Sequence, residues 1–210
     1  MKQKKPGASA NVANDIAKDI NTGEFTAGMW LKQAELEERY GCTRADVRRA
    51  LDQLVIERLV QHVPNKGYHV YAPNLQQRRN ISAIRCILEC AAAPDIVENI
   101  GEQGIARLTD CAQAFADATW HGTLLEQYEA NMAFHRALLA PCLNQDMVEL
   151  IFDLRSRVPS APLGQWSSHA RIEKSSGEHF AMVAAIRDRD APKLARLIAQ
   201  HIQQLESSGE

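Results

Sequence analysis

The stretch Gly41-Cys42-Thr43-Arg44-Ala45-Asp46-Val47-Arg48-Arg49-Ala50-Leu51-Asp52-Gln53-Leu54 leaves little choice of backbone. Val47, Ala50, Leu51 and Leu54 recur at i, i+3, i+4 and i+7, which on an α-helix makes one apolar stripe for a core. Thr43 has the chemistry of an N-cap, its hydroxyl meeting the free amide of Asp46, and Asp46 adds negative charge to the first turn. Gly41 suits the left-handed end of the helix before it. Arg44 and Arg48 ride one turn apart beside the stripe, with Arg49 further round. A helix sealed along one flank and cationic near its N-terminus fits a DNA major groove. There arginine can donate a bidentate pair to guanine O6 and N7, while the helix end and the Thr43 hydroxyl suit a phosphate.

The surroundings of this helix follow the same logic. Residues 1–9, with Lys2, Lys4, Lys5, Pro6 and Gly7, read as a flexible arm. From about Ala10 an amphipathic helix carries Val12, Ile16, Ala17 and Ile20 and stops at Asn21-Thr22-Gly23, and a turn is expected at Ala27-Gly28. A short helix follows near Gln33 to Tyr40, then the Thr43 helix to about Glu57. β-type residues flank Asn65-Lys66-Gly67, a hairpin signal that puts Lys66 and Gly67 at the tip of a wing able to reach DNA backbone or minor groove. Helix, short helix, turn, second helix and hairpin describe a winged helix-turn-helix over residues 10–74. Pro73-Asn74 marks the boundary, 75–77 a linker, and 78–210 an all-helical domain for ligand binding and dimerisation. Helices are expected near 78–100, 103–119, 122–140, 145–157, 168–188 and 190–206, broken at Gly101, Gly122, Pro141–Asn144 and Pro159–Gly164. The predicted fold class is mainly α: an N-terminal winged helix-turn-helix and a C-terminal all-α bundle.

Charge and cysteine content narrow the function. The formal net charge is −2, yet residues 1–74 hold 11 Lys and Arg against 9 Asp and Glu, and the remainder 13 against 17. A mildly basic front and an acidic back suggest different partners for each. The five cysteines, Cys42, Cys86, Cys90, Cys111 and Cys142, are scattered without a C-x-x-C pair, against a disulfide framework or a thiolate zinc site. No secretion signal is expected, and nothing approaches the ~20 consecutive apolar residues of a membrane helix. A soluble cytoplasmic protein with no membrane partner is the expectation.

In the back half, Asn131 and His135 stand four apart on one helix face, and His179 and His201 lie on two later helices among apolar neighbours. Three neutral imidazoles facing the interior of a bundle can converge on Zn, Ni, Cu or Fe(II) and leave open positions for an exogenous ligand. For any one histidine taken alone, a hydrogen-bonded core residue is the commoner reading. His62, His69, His121 and His169 read as surface or wing residues. Trp30, Trp120 and Trp166 read as core or rim packing.

The run L-K-Q-A-E-L-E-E-R-Y-G-C-T-R-A-D-V-R-R-A-L-D-Q-L-V-I-E-R-L-V, followed by N-K-G-Y-H-V, resembles the GntR family of bacterial transcription regulators. The resemblance implies operator contacts by Thr43, Arg44 and Arg48. Ala34 stands where several relatives carry a polar or basic contact. Arg58 stands where the family usually has glycine, a departure expected to alter the bend into the wing. Residues 78–206 are similar to the effector domain of the FadR subgroup through R-C-I-L-E at 85–89, N-M-A-F-H-R-A-L-L at 131–139, N-Q-D-M-V-E-L-I at 144–151, E-H-F-A-M-V-A-A-I-R-D-R-D at 178–190 and His201. That similarity implies a divalent metal on Asn131, His135, His179 and His201, with zinc or nickel foremost and manganese or iron as alternatives. It also implies a small carboxylate effector docked on the metal and Arg85 facing it, with Arg155 and Arg157 as looser candidates. Asn131 replaces the aspartate common in relatives, which removes a negative charge from the ligand set.

A ligand-responsive regulator follows, a repressor by family habit, its homodimer reading a pseudo-palindromic operator in double-stranded DNA. Two rivals remain at the level of sequence. A metal-dependent helical enzyme lacks a convincing general base, since neither Glu129 nor Glu178 belongs to an H-E-x-x-H motif. An effector-free architectural DNA binder would use its back half for dimerisation alone.

Overall fold

The computed structural model describes residues 8–157 and 169–203. The chain divides between Pro73 and Asn74 into two compact units. The first contains α1 (Ala8–Asn21), β1 (Trp30–Leu31), α2 (Gln33–Tyr40), α3 (Arg44–Ile56), β2 (Val60–Val63) and β3 (Gly67–Val70). Its three strands are antiparallel in the order β1-β3-β2, with Leu31 opposite Tyr68 and Val60 opposite Val70. Val47, Ala50, Leu51 and Leu54 are all buried, packed with Ile16, Leu36, Leu59 and Val70 in one core. The Tyr40 hydroxyl donates to Asp19 at 2.6 Å and ties α2 to α1.

Two chain reversals position α3 and the wing. Gly41 takes φ 59°, where glycine meets no Cβ penalty, and lets the Cys42 amide reach back to Glu37 O. At the other end of α3, Arg58 also takes a left-handed φ of 59°. The Leu59 amide bonds Leu54 O at 3.0 Å and the Arg58 amide bonds Val55 O at 3.1 Å, the paired closure of a Schellman motif. The bend that glycine would make is therefore made by arginine, under strain. In the hairpin, Lys66 N donates to Val63 O across Pro64 and Asn65, the latter at φ 64°, the pattern of a type II turn.

The second unit is helical: α4 (Leu75–Ala91), α5 (Ala93–Asn99), α6 (Glu102–His121), α7 (Leu124–Leu139), α8 (Gln145–Arg157), α9 (His169–Arg187) and α10 (Ala191–Gln203). Residues 75–77, read from sequence as a linker, form the first turn of α4. Asn74 and Gln77 cap it reciprocally, each side chain bonding the other's amide at 2.8 Å. The helix expected over 78–100 is divided at Ala92, because Pro94 can neither donate to the ladder nor fit its ring against the preceding turn. At the N-terminus α1 already includes residues 8 and 9, expected from the sequence to lie in the arm. The break expected at Pro159–Gly164 lies outside the described residues.

Ile96, Leu108, Phe134, Leu138, Ile151, Met182, Ile186 and Ile198 build the bundle core. Phe115 of α6 meets His179 of α9, Trp120 meets His169, and Arg187 donates to Thr109, so α6 and α9 run antiparallel. α7 doubles back from α6 across Gly122-Thr123 and is therefore parallel to α9. Among the described residues no helix is long and apolar enough to cross a membrane.

Replacing Arg58 by glycine removes the left-handed penalty at the end of α3, at some cost in unfolded-chain entropy. Arg58→Gly is expected to stabilise the fold by about 1 kcal/mol, read as a rise of a few degrees in calorimetric Tm. An unchanged or lower Tm would contradict this account of the turn.

Candidate functional site

The first site is the exposed end of α3. Thr43 accepts from the Asp46 amide at 3.3 Å while Asp46 Oδ2 accepts from the Thr43 amide at 3.0 Å, so the anticipated cap is a reciprocal one. Buried Asp46 also holds Arg49 at 2.7 Å. Arg44 and Arg48 are solvent-exposed. Arg44 Nε reaches Gln33 at 3.3 Å, and Arg48 lies 3.9 Å from Asp52 in an exposed pair, a contact that costs little to give up. Asp52 is steadied from below by the Tyr68 hydroxyl at 2.6 Å. A groove lined by Trp30, Lys32, Gln33, Arg44, Lys66 and Gly67 among others joins the wing tip to the start of α3, so the cationic residues of helix and wing share one concave face.

The second site lies inside the bundle. His135 of α7, His179 of α9 and His201 of α10 converge with ring centroids 5.1 to 5.3 Å apart, and all are buried. Their ligand atoms lie within 4.8 Å of one another, against the ~3.4 Å edge of a tetrahedron with metal–nitrogen bonds near 2.1 Å. One ion could be shared by the three after a closure of about 1 Å. Phe134 stacks on His179 at 3.8 Å and fixes its ring plane. His201 Nδ1 contacts Glu178 at 2.6 Å; with the ring proton on Nδ1, Nε2 carries the free lone pair, the usual arrangement behind a metal-bound imidazole. Asn131 is buried one turn from His135.

Arg85 and Arg155, expected from the sequence to face the effector, meet here a carboxylate that sequence reasoning missed, Glu89. Glu89 accepts from Arg85 at 3.0 Å and from Arg155 at 2.9 Å, and all three are buried. Arg155 also contacts His135 Nδ1 at 2.9 Å; a guanidinium can only donate, so Nδ1 is the acceptor there. Among the described residues, Arg85 Nη2, Arg155 Nε, Asn131 Oδ1, His135 Nε2 and both nitrogens of His179 are buried without a hydrogen-bond partner. Burial pushes the His135 pKa well below the usual histidine range, helped by Arg155 and the other two imidazoles. Burial does the same to His179. His201 is lowered by burial against the opposing pull of Glu178. Burial and the Arg155 charge bring Arg85 down to about 10, while for Glu89 burial is outweighed by the two arginines, which keep its carboxylate charged. The triad is therefore neutral, the charge state that ligates; His135, accepting from Arg155 on Nδ1, holds its proton on Nε2 and must give up the Arg155 bond to offer a lone pair.

Other sequence expectations meet the structure unevenly. Arg157 pairs with Asp153 on its own helix. His62, His121 and His169 are exposed, and half-buried His69 lies on β3. Trp30 and Trp120 are exposed rather than core, 44% and 60%, each against a histidine ring. Trp166 lies outside the described residues. Arg85 and Glu89 share the i, i+4 spacing of an ordinary surface pair, but Ser82 and Ala92 on the same stripe are buried, and that inward register was the available signal.

A winged helix-turn-helix with arginines on its exposed helix, followed by an all-helical unit around a buried histidine cluster, defines a DNA-binding transcription regulator. Residues 8–70 match the bacterial regulatory proteins of the gntR family, and residues 80–204 match the FCD domain. The chain belongs to the GntR family of regulators, in the group that carries an FCD domain, and is not an enzyme. It is 29% identical over 195 residues to the HTH-type transcriptional regulator BphR of Paraburkholderia xenovorans, spanning 88% of this chain and 78% of that one. It is 28% identical over 197 residues to the HTH-type transcriptional repressor GlaR of Escherichia coli, spanning 89% of each. The solved structure of E. coli McbR/YncC superposes with a TM-score of 0.81 at 24% identity over 95% of both chains, a shared fold.

The buried imidazoles carry a sign for pH. His135 and His179 have folded pKa values below the ~6.5 of the unfolded chain, so below that pH the unfolded state binds more protons. Their contribution is complete above about pH 6.5 and is lost as pH falls toward the folded values; Glu89 and Glu178 add acid sensitivity only below about pH 4.5. Melting of metal-free protein should show Tm falling between about pH 7 and about pH 5, and His179→Leu should flatten that slope. An identical slope in the variant would remove His179 from the account.

Proposed function

We propose that this regulator is a repressor whose helical unit senses a small organic acid docked on a bound divalent metal. The observation that carries the reading is the surplus of unsatisfied donors around the triad. Arg85 and Arg155 bring two positive charges and Glu89 cancels one, leaving a buried cationic centre with Arg85 Nη2 and Arg155 Nε unpartnered. A carboxylate supplies the missing charge and the missing acceptors in a two-pronged contact. Asn131 Oδ1, His179, His201 and, once Arg155 leaves its Nδ1, His135 fit the metal: three neutral imidazoles and an unpartnered amide oxygen suit zinc or nickel, with manganese or iron as alternatives. The metal, when bound, supplies a Lewis-acidic docking point, and Glu178 orients His201 behind it.

At the DNA end, Arg44 and Arg48 read base edges. Thr43, Arg49, Lys66 and Gly67 position the head on the backbone. Two heads in a homodimer would read a pseudo-palindromic operator; Ile84 and Ile87, 46% and 70% exposed on α4, offer apolar surface for the pairing. The effector changes operator affinity by favouring one arrangement of the paired heads over another. The similarity to GlaR, a repressor by name, supports repression.

Two measurements test the two halves separately. On operator DNA selected in vitro with the wild-type protein, Arg48→Ala should weaken binding by about 1–3 kcal/mol with an unchanged circular dichroism spectrum. Equal affinity would count against this docking. In titration calorimetry Asn131→Asp should bind Zn²⁺ or Ni²⁺ more tightly, because a carboxylate restores negative charge to a neutral ligand set. No change would take Asn131 out of the shell.

A further inference from the structure

A belt of buried polar side chains lies one to two helical turns from the histidines, toward the N-termini of α7 and α9. On α7, Gln127, Asn131 and His135 follow at i, i+4 and i+8, all facing inward. Because α9 is parallel to α7 and His179 stands beside His135, Ser175 and Ser176 lie at the level of Asn131. Gln127, Asn131, Ser175 and Ser176 are 8%, 3%, 6% and 7% exposed. The Gln127 amide is pinned: Nε2 donates to Ala118 O at 3.2 Å and to Gly122 O at 3.4 Å. Only the NH₂ side can face two carbonyls, so Oε1 is turned away from them. There it is buried without a hydrogen-bond partner among the described residues.

We propose that Gln127 is a specificity-determining residue that accepts a hydrogen bond from a hydroxyl of the docked acid, so that the effector is a hydroxy acid. The proposal rests on the reading of the bundle as a metal-and-carboxylate site. One turn, about 5.4 Å, separates Gln127 from the level of Asn131, so the hydroxyl belongs a few carbons along the chain from the metal-bound carboxylate. An alkyl end would leave Oε1 unpaired, and a second carboxylate would set anionic oxygens against it. An ammonium could donate, but Arg85 and Arg155 already leave the interior one positive charge in excess over Glu89. Ser175 and Ser176 offer further hydrogen bonds to a polyhydroxylated chain.

The test is calorimetry on the full chain loaded with Zn²⁺, using 4-hydroxybutyrate, gluconate, butyrate, succinate and 4-aminobutyrate as probes. At least one of the two hydroxylated acids should bind tenfold or more tighter than butyrate, succinate and 4-aminobutyrate. Gln127→Leu and the closer isostere Gln127→Met should abolish that preference while Zn²⁺ affinity stays at the wild-type value. Two outcomes overturn the proposal alone: a preference for butyrate, succinate or 4-aminobutyrate, or a hydroxyl preference that persists in both variants. Zn²⁺ binding with no affinity for any of these acids, or no Zn²⁺ binding at all, overturns the effector-site reading beneath it as well.

Discussion

One carboxylate sets the character of the bundle interior. Glu89 sits between Arg85 and Arg155, and without it two guanidiniums would face each other in a medium where burial of an unpaired ion costs several kcal/mol. Its presence lets Arg155 stay folded inward, close enough to contact His135, where its charge adds to burial in keeping that imidazole uncharged. The chain of influence runs from a carboxylate, through an arginine, to a histidine. Three uncharged imidazoles can then share a space too small for three cations. Phe134, flat against His179, and Glu178, bonded to His201, settle the ring planes from the outside.

Much of the reading head was legible in the residue order, because its signals are local. The Thr43–Asp46 cap, the left-handed Gly41 and the apolar stripe of α3 each need fewer than a dozen residues to express themselves. The same holds for α8, whose expected and observed bounds coincide. Where local signals were misjudged, they were nonetheless present: Asn74 and Gln77 carry the spacing of a reciprocal cap, and Pro94 marks the division between α4 and α5. β1 had no such mark, since two residues cannot show an alternation.

The bundle centre is a different case. His135, His179 and His201 could each be placed on an inward face, but their meeting depends on how α7 packs against the α9–α10 pair across the intervening α8. Glu89 was hidden by resemblance to a solvated i, i+4 pair. Gln127 was hidden because its role depends on two backbone carbonyls at the end of α6. Periodicity reveals which side of a helix is wet; it does not reveal which partner a buried polar group will find.

The two-residue strand β1 has a consequence out of proportion to its length. Trp30 and Leu31 pair with His69 and Tyr68, stitching the segment that leads into α2 to the inner strand of the wing. Tyr68 in turn braces Asp52 on α3. Helix and wing thus behave as the two jaws of a caliper with a locked screw. Docked as proposed, such a head would gauge the span between adjacent grooves as well as the bases within one, so groove width would enter its choice of operator.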